Sequence, residues 1–293
     1  MTKTVVVTGA SSGIGLATAL ELASAGFDVI GTARTEEKAR SLRDKAERIG
    51  AGVRTVLLDV TDATSTVCAF THVAELTDGG PWAVVNNAGM AQPGAVEDVD
   101  DEQVRRQLET NLVAPARIAR LVLPRMRQRR SGRIINISSV SGRVPLPFLG
   151  WYCASKQGLA AMSDALRMEV APFGIRVSLI EPGSYGTQIW ERGLELLPER
   201  QQSAYQDQYD SAHEMLRGVK DMPSPRPVAK TVLRALRARR PQPRYLVGND
   251  ARGHVLFEAL APTAATDWAK SVATGLRTPP PHVARMLERL RGR

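Results

Sequence analysis

Short runs of apolar, mostly β-branched residues alternate along the chain with longer segments in which apolar residues recur at helical spacing. The short runs span residues 4–8, 28–33, 53–58, 82–85, 133–138 and 176–180. Because these runs are almost continuously apolar, they predict strands of a parallel sheet that is buried on both faces. The pattern therefore predicts an α/β fold, a Rossmann-type doubly wound parallel sheet with helices on both sides.

The longer segments predict the helices that cover this sheet. They span residues 13–25, 35–49, 110–130 and 152–171. Beyond residue 180 the alternation stops, and a stretch with a polar centre at 199–210 and prolines near its end predicts a substrate lid over about 188–226. A last helix and strand then complete a single domain of residues 1–250, and residues 251–293 are predicted to form a C-terminal helical extension.

Composition places the chain among ordinary globular proteins, with 43% hydrophobic and 24% charged residues. No run approaches the roughly 20 apolar residues that span a bilayer. The first predicted strand begins at once, without the features of a secretory leader, so we expect no membrane span and a cytoplasmic protein. Cys68 and Cys153 are the only cysteines. They are too few for a disulfide framework or a thiolate metal site, and no metal is expected.

The formal charge is +9, and arginine is concentrated at residues 127–130, 237–240 and 289–293. Such clusters can mark a nucleic-acid-associated protein or one that binds an acidic surface. Here they are scattered along the sequence and lack interleaved aromatic residues. We interpret them as solvated helix ends and expect no nucleic-acid partner.

The first predicted strand runs into a glycine-rich turn, Thr8-Gly9-Ala10-Ser11-Ser12-Gly13-Ile14-Gly15, and then into a helix. Glycines allow a tight turn and close backbone approach, and free amides at a helix N-terminus attract a pyrophosphate. A tight strand-to-helix turn needs glycine even without a ligand. The strand before and the helix after the turn favour dinucleotide binding.

This glycine spacing resembles that of the short-chain dehydrogenase/reductase family, and matching motifs follow in order over about residues 3–250. The family contacts adenine at the end of the third strand, lays backbone along the cofactor after the fourth, and approaches the nicotinamide carboxamide after the sixth. The resemblance therefore implies cofactor contacts by Gly9, Ser11, Ser12, Gly13, Ile14, Gly15, Asp59, Val60, Asn87, Ala88, Gly89, Pro182, Gly183, Tyr185 and Thr187.

The end of the second strand indicates which nicotinamide cofactor is bound. An acidic residue there would hold the ribose 2′-hydroxyl and repel a 2′-phosphate. This chain has Ala33 at that position, followed by Arg34, whose planar guanidinium suits a phosphate. We therefore predict NADP(H). Many NADP-preferring relatives also carry a basic residue in the glycine turn, where this chain has Ser12.

Tyr152 and Lys156 are four residues apart on a predicted helix, so their side chains leave the same face. An ammonium beside a phenol is expected to lower the phenol's pKa from its usual value near 10. The resemblance adds Ser139, chosen over Ser138, as the group that hydrogen-bonds the substrate oxygen. It also adds Asn111, whose helix distortion admits a water that links the lysine to solvent. The predicted catalytic set is therefore Asn111, Ser139, Tyr152 and Lys156, with the last two also binding cofactor.

The expected function is NADPH-dependent reduction of a small-molecule ketone or aldehyde, or oxidation of the corresponding alcohol, by a homodimer or homotetramer. The segment at residues 243–248 and the extended tail are similar to hydroxysteroid and retinol dehydrogenase relatives, which implies a bulky lipophilic substrate. An apolar, partly aromatic substrate wall could be formed by Leu146, Pro147, Phe148, Trp151, Tyr185 and Trp190, although apolar residues in such loops more often serve packing than recognition. The alternative is a catalytically silent NADPH sensor or scaffold, and an epimerase or dehydratase could share the fold.

Overall fold

The computed structural model describes residues 3–77, 79–197, 203–216 and 222–281, which contain one seven-stranded sheet. The strands are β1 (Thr4–Val7), β2 (Asp28–Ala33), β3 (Val53–Leu57), β4 (Ala83–Asn86), β5 (Gly132–Ile137), β6 (Ile175–Pro182) and β7 (Arg244–Val247). They lie in the order β3-β2-β1-β4-β5-β6-β7, and every neighbouring pair is parallel. The predicted doubly wound fold is confirmed.

Helices cover both faces of the sheet. They are α1 (Gly13–Ser24), α2 (Glu36–Glu47), α3 (Ala63–Leu76), α4 (Asp101–Leu108), α5 (Ala114–Gln128), α6 (Gly150–Val170), α7 (Gln188–Leu194), α8 (Gln206–Leu216), α9 (Arg226–Arg237), α10 (Asn249–Leu260) and α11 (Thr263–Ala273). A π-helical turn (Glu109–Val113) joins α4 to α5. None of the described helices is long and apolar enough to cross a membrane.

The core explains why the strands are apolar throughout. Successive strand residues point to opposite faces of a sheet. Val5 and Val7 of β1 belong to a buried cluster with residues of α1, α2 and α9, whereas Val6 belongs to a second cluster with residues of α3 and α5. All three valines are fully buried. Both faces therefore require apolar side chains.

The strand order places a crevice at the carboxyl edge of the sheet. The chain moves outward from β1 to β3 in one direction and from β4 to β7 in the other, so the order reverses between β1 and β4. In open parallel sheets, ligands bind at the carboxyl ends of the strands beside such a reversal. The loops that follow β1 and β4 are therefore the expected walls of a site.

At the opposite edge of the sheet, arginine side chains contact the ends of helices. Arg133 donates to the carbonyl of Ala238, which caps α9, and Arg237 donates to the carbonyl of Ala25, which caps α1. Helix C-termini carry partial negative charge, so cations are favoured there. The clusters at 127–130 and 237–240 lie at the C-terminal ends of α5 and α9, in agreement with their interpretation as helix ends. The cluster at 289–293 lies outside the described residues.

The described parts of the lid and of the extension contain helices. The lid prediction covers α7 and α8, and part of its polar centre lies outside the described residues. The predicted boundary at residue 250 falls inside α10. Asp250 of α10 accepts a hydrogen bond from the backbone of Ser184 at 2.7 Å, just beyond β6. The start of the extension is thus tied to the carboxyl edge of the sheet.

Candidate active site

A cleft of about 620 Å³ opens at the carboxyl edge, where the reversal of strand order predicts it. Its walls are the loops after β1 to β6 together with α7. Among the residues predicted to bind cofactor, all but Gly15 line this cleft. Of the predicted catalytic set, Ser139, Tyr152 and Lys156 line it, and Asn111 lies behind its wall. The topology thus brings together residues that are far apart in sequence.

The glycine turn is a cradle built by close backbone approach. Gly9 and Gly13 have φ values of 62° and 54°, which other residues rarely adopt. A side chain on Gly15 would collide with the carbonyl of Gly9, so Gly15 packs α1 against the turn instead of facing the cleft. The first amides of any helix lack intrahelical acceptors and favour an anion, and here Ser12, Gly13 and Ile14 at the start of α1 line the cleft.

Asn87 and Thr8 hold this cradle in place. The Asn87 side-chain amide donates to the Thr8 carbonyl at 2.9 Å and to the Gly9 carbonyl at 3.2 Å. In return, the Thr8 hydroxyl accepts from the backbone amides of Asn87 and Ala88 at 2.9 and 3.0 Å. The loop after β4 therefore fixes the shape of the turn after β1, and the side chain of Asn87 serves the turn itself.

The end of β2 places two cations at one end of the cleft. Arg34 follows Ala33 directly, and Lys38 lies four residues later on the first turn of α2, where Thr35 caps the helix by accepting from the Lys38 amide. Both line the cleft, and within the described residues neither pairs with a carboxylate. The Asp59 carboxylate, also in the cleft, accepts from the amide and hydroxyl of Thr61. Lys38 was not predicted, although its spacing from Arg34 was the available signal.

Tyr152, the third residue of α6, is buried in the cleft wall beside Ser139. The hydroxyls of the two residues are hydrogen-bonded, and the Ser139 oxygen also accepts from the Ser141 amide at 3.1 Å. The neighbouring Ser138 hydroxyl is instead directed to the Lys156 carbonyl at 3.3 Å. The structure therefore places Ser139, and not Ser138, against the phenol.

Burial is the main cause of the pKa shifts of both Tyr152 and Lys156. It raises the pKa of Tyr152 to about 12, against a smaller lowering by the hydrogen bond with Ser139. It lowers the pKa of Lys156 to about 8. The Lys156 ammonium donates to the Ile137 carbonyl at 3.1 Å and lies 5.7 Å from the centre of the Tyr152 ring. The pKa of the phenol is therefore raised by burial and not lowered as expected, and the phenol is protonated at neutral pH.

Asn111 lies in the π-helical turn, which is the helix distortion that the resemblance implies. Its amide nitrogen donates to the Met90 carbonyl and to the Ser155 hydroxyl, both at 2.9 Å, and its oxygen accepts from the Met90 amide at 3.0 Å. Ser155 immediately precedes Lys156. Asn111 thus joins the loop after β4 to the helix that carries Tyr152 and Lys156.

The substrate wall differs from the set of aromatic and apolar residues considered from sequence. Trp190 of α7 packs edge-on against Tyr152, with ring centres 5.9 Å apart, and Tyr185 also lines the cleft. Phe148 instead packs edge-on against Tyr205 and Tyr209, and so supports α8. Leu146, Pro147 and Trp151 do not line the cleft either. Packing is therefore the better interpretation for four of the six.

Several lining residues had no signal in the sequence, because the lid and the segment between β4 and α5 bring them in from a distance. Those with apolar side chains are Met90, Ala91, Ile189 and Leu196, and those with guanidinium groups are Arg106 and Arg192. Within the described residues, no group of three or more histidine, cysteine, aspartate or glutamate side chains is arranged to hold a metal ion.

Comparison with known proteins gives consistent matches over most of the chain. The family model for short chain dehydrogenases matches residues 3–195. The chain is 37% identical over 269 residues to the uncharacterized oxidoreductase YusZ of Bacillus subtilis, covering 90% of this chain and 95% of that protein. It is 34% identical over 291 residues to mouse 17-beta-hydroxysteroid dehydrogenase type 6, covering 93% of this chain and 89% of that protein.

Solved structures show the same architecture. A short-chain dehydrogenase from Streptomyces avermitilis superposes with a TM-score of 0.78 at 31% identity, covering 94% of this chain and all of the other. A short-chain dehydrogenase from Sphingobium yanoikuyae in complex with NADPH superposes with a TM-score of 0.68 at 26% identity, covering 94% of each chain. The chain therefore belongs to the short-chain dehydrogenase/reductase family of oxidoreductases.

Proposed function

We propose that the protein is an NADPH-dependent carbonyl reductase, able to run in reverse as an alcohol dehydrogenase. The observation that carries the proposal is the placement of Tyr152, Ser139 and Lys156 on one wall of a cleft whose far end is the glycine cradle. A dinucleotide that spans the cleft from Arg34 to Tyr152 brings its nicotinamide to the phenol. A solved relative in complex with NADPH supports this cofactor.

NADPH, when bound, supplies a hydride to the carbonyl carbon. Tyr152 gives its phenolic proton to the carbonyl oxygen, on which negative charge develops as the carbon is reduced. Ser139 donates a hydrogen bond to the same oxygen, and Lys156, charged below about pH 8, stabilises the phenolate that remains. Asn111 is a positioning residue, since it fixes the helix turn that carries Lys156. In oxidation the same groups act in reverse.

The proposed preference of the protein for NADPH over NADH depends on Arg34. Arg34→Ala should weaken NADPH binding by about tenfold, because a charge-assisted hydrogen bond to the 2′-phosphate is lost while Lys38 remains. NADH, which lacks that phosphate, should bind the variant and the parent equally. Titration calorimetry with both cofactors measures the two affinities. Equal losses for NADPH and NADH would contradict the assignment of Arg34 to the 2′-phosphate.

A bulky lipophilic substrate is supported by the apolar lining of the cleft, which includes Met90, Ile189, Leu196 and Trp190, the last packed against Tyr152. Similarity to mouse 17-beta-hydroxysteroid dehydrogenase type 6 supports the same class. The test is a panel of ketones and aldehydes of increasing apolar bulk, assayed by loss of NADPH absorbance. We expect kcat/KM to rise with apolar bulk. A preference for small polar aldehydes would overturn the substrate class and leave the reaction type standing.

A catalytically silent sensor or scaffold is the second candidate. It would bind NADPH in the same cleft but has no use for a buried phenol hydrogen-bonded to Ser139. Turnover of no member of the ketone panel, despite tight NADPH binding, would favour it. We also propose a cytoplasmic homodimer or homotetramer, and sedimentation of the purified protein tests the oligomeric state.

A further inference from the structure

Two charged side chains are buried among the residues that the structure describes, and the proposed reaction uses only one of them. These are Lys156 and Glu181, which are 4% and 1% exposed. Glu181 is the next-to-last residue of β6, and Pro182 and Gly183, which follow it, line the cleft. The Glu181 side chain itself does not line the cleft. Any effect of this carboxylate on the reaction is therefore exerted through the residues that it contacts.

Arginines from two segments hold the Glu181 carboxylate. Arg143 donates to both of its oxygens, from Nε at 2.8 Å and from Nη2 at 2.7 Å. Arg244, the first residue of β7, donates to one of them at 3.1 Å and also pairs with Asp164 of α6. These contacts connect the loop after β5 to β6, β7 and α6.

Arg143 follows the same short turn that Ser139 begins. The turn is a stretch of 3-10 helix over Val140–Gly142, and Ser139 caps its start by accepting from the Ser141 amide at 3.1 Å. At the other end, the Arg143 amide donates back to the carbonyl of the first residue of the turn at 2.8 Å. The serine that faces the phenol and the guanidinium that binds Glu181 are therefore linked by a turn of three residues.

The geometry of the ion pair matters more than its energy. Because desolvation of the charges opposes their attraction, a buried ion pair adds little to the stability of a fold. Two parallel hydrogen bonds between a guanidinium and a carboxylate do fix both a distance and an angle. We propose that Arg143, held by Glu181, is a positioning residue that sets the Ser139 hydroxyl against the substrate oxygen. This role rests on the proposed function, in which Ser139 donates to that oxygen.

A double-mutant cycle on the single-turnover rate of hydride transfer tests this role. Arg143→Gln should lower the rate by about tenfold, because a displacement of about 1 Å at reacting groups is costly. The Glu181 carboxylate keeps its bond from Arg244 in this variant, so the fold should be retained. Ser139→Ala removes the hydroxyl that Arg143 positions. In the Ser139→Ala background, Arg143→Gln should therefore change the rate by less than about twofold.

Two measurements separate the chemical step from binding. Stopped-flow loss of NADPH absorbance gives the rate, with the ketone of the panel that the unaltered protein reduces fastest. Calorimetry gives the NADPH affinity, which should stay within about twofold in every variant of the cycle, because Arg34 and the glycine cradle are unaltered.

Arg54→Gln is the matched control. Arg54 also donates to one carboxylate through two nitrogens, that of Asp28, but this pair lies on β3 and β2 outside the cleft. The control should keep the rate of the unaltered protein within about twofold. If circular dichroism shows that Arg143→Gln does not fold, Arg143→Lys takes its place in the cycle, since lysine keeps the charge and loses the two parallel bonds.

Four outcomes overturn the role of Arg143. An unchanged rate in Arg143→Gln would show that the contact has no part in the reaction. The same fall in rate with and without the Ser139 hydroxyl would show that Arg143 does not act through Ser139. An equal fall in Arg54→Gln would show a general effect of losing an ion pair. A loss of NADPH affinity as large as the loss of rate would assign Arg143 to the cofactor site.

These four outcomes leave the proposed function standing. Failure of the unaltered protein to reduce any ketone of the panel would instead overturn the proposed function, and the role of Arg143 with it.

Discussion

Tyr152→Phe should lower turnover of a carbonyl substrate by about a thousandfold or more while leaving NADPH affinity nearly unchanged. The substitution removes one hydroxyl and keeps the ring, so the packing against Trp190 is retained. The hydrogen bond with Ser139 is lost, at a cost of about 1 kcal/mol to stability. Stopped-flow or steady-state loss of NADPH absorbance, with cofactor affinity from calorimetry, separates the chemical step from binding.

Tyr205→Phe is the matched control for this prediction. Tyr205 also loses a hydroxyl with a hydrogen-bond partner, since it donates to Glu97 at 2.7 Å, but it does not line the cleft. Turnover by the Tyr205→Phe variant should stay within about twofold of that of the parent protein, as expected for a surface contact. If Tyr152→Phe retains turnover within tenfold of the parent, another group is the acid, and the proposed mechanism fails.

The sheet could be predicted from sequence because its signal is local and repeated. Each strand is a short apolar run, and burial on both faces of a parallel sheet demands that composition whatever the neighbouring strand is. The glycine turn is equally local, since strand, turn and helix are contiguous. The helix α3 (Ala63–Leu76) was missed because its first turns are rich in threonine and serine, which are weak helix formers.

The parts of the site that could not be predicted depend on contacts between distant segments. The Tyr209 hydroxyl accepts from the Ala95 amide and donates to Asp98, which docks α8 on the loop after β4 across more than 100 residues of sequence. No periodicity reports such a pairing. Phe148, in the left-handed region at φ 63°, was weighed as a substrate contact but packs against this docked helix.

The pKa values were also beyond sequence reasoning, because burial depends on the whole fold. Spacing on α6 correctly placed Tyr152 and Lys156 on one face, with the ammonium 5.7 Å from the ring. It could not show that both groups lie in the protein interior, where the neutral forms are favoured. Burial therefore keeps the phenol protonated, so that it can act as an acid. Lys156 is a buried charge whose ammonium donates a hydrogen bond to the Ile137 carbonyl.

The buried charge on Lys156 predicts a second large effect, on both stability and turnover, for the substitution Lys156→Met. The fall of the Lys156 pKa from 10.5 to about 8 corresponds to roughly 3 kcal/mol of lost stability when the group is charged. The full loss of stability applies below about pH 8, where Lys156 is protonated in both the folded and the unfolded protein. It fades as the pH rises toward 10.5, because only the unfolded chain still binds the proton there.

Lys156→Met should therefore raise the free energy of unfolding at pH 7 by about 2 kcal/mol, after allowing about 1 kcal/mol for the hydrogen bond lost at Ile137. The gain should shrink toward pH 10. The same variant should lose turnover by about a hundredfold or more and bind NADPH less tightly, because the cation that stabilises the phenolate is gone. Urea denaturation at the two pH values and steady-state kinetics measure both effects.

Lys230→Met, on the exposed side of α9, removes a lysine charge outside the cleft and should change neither stability nor turnover appreciably. A less stable Lys156→Met at pH 7, with this control unchanged, would show that the buried ammonium is stabilised by its surroundings and is not a cost to the fold. If the Lys156→Met variant is instead more stable and less active than the parent, the Lys156 charge lowers stability and serves catalysis, since methionine fills the same space without a charge.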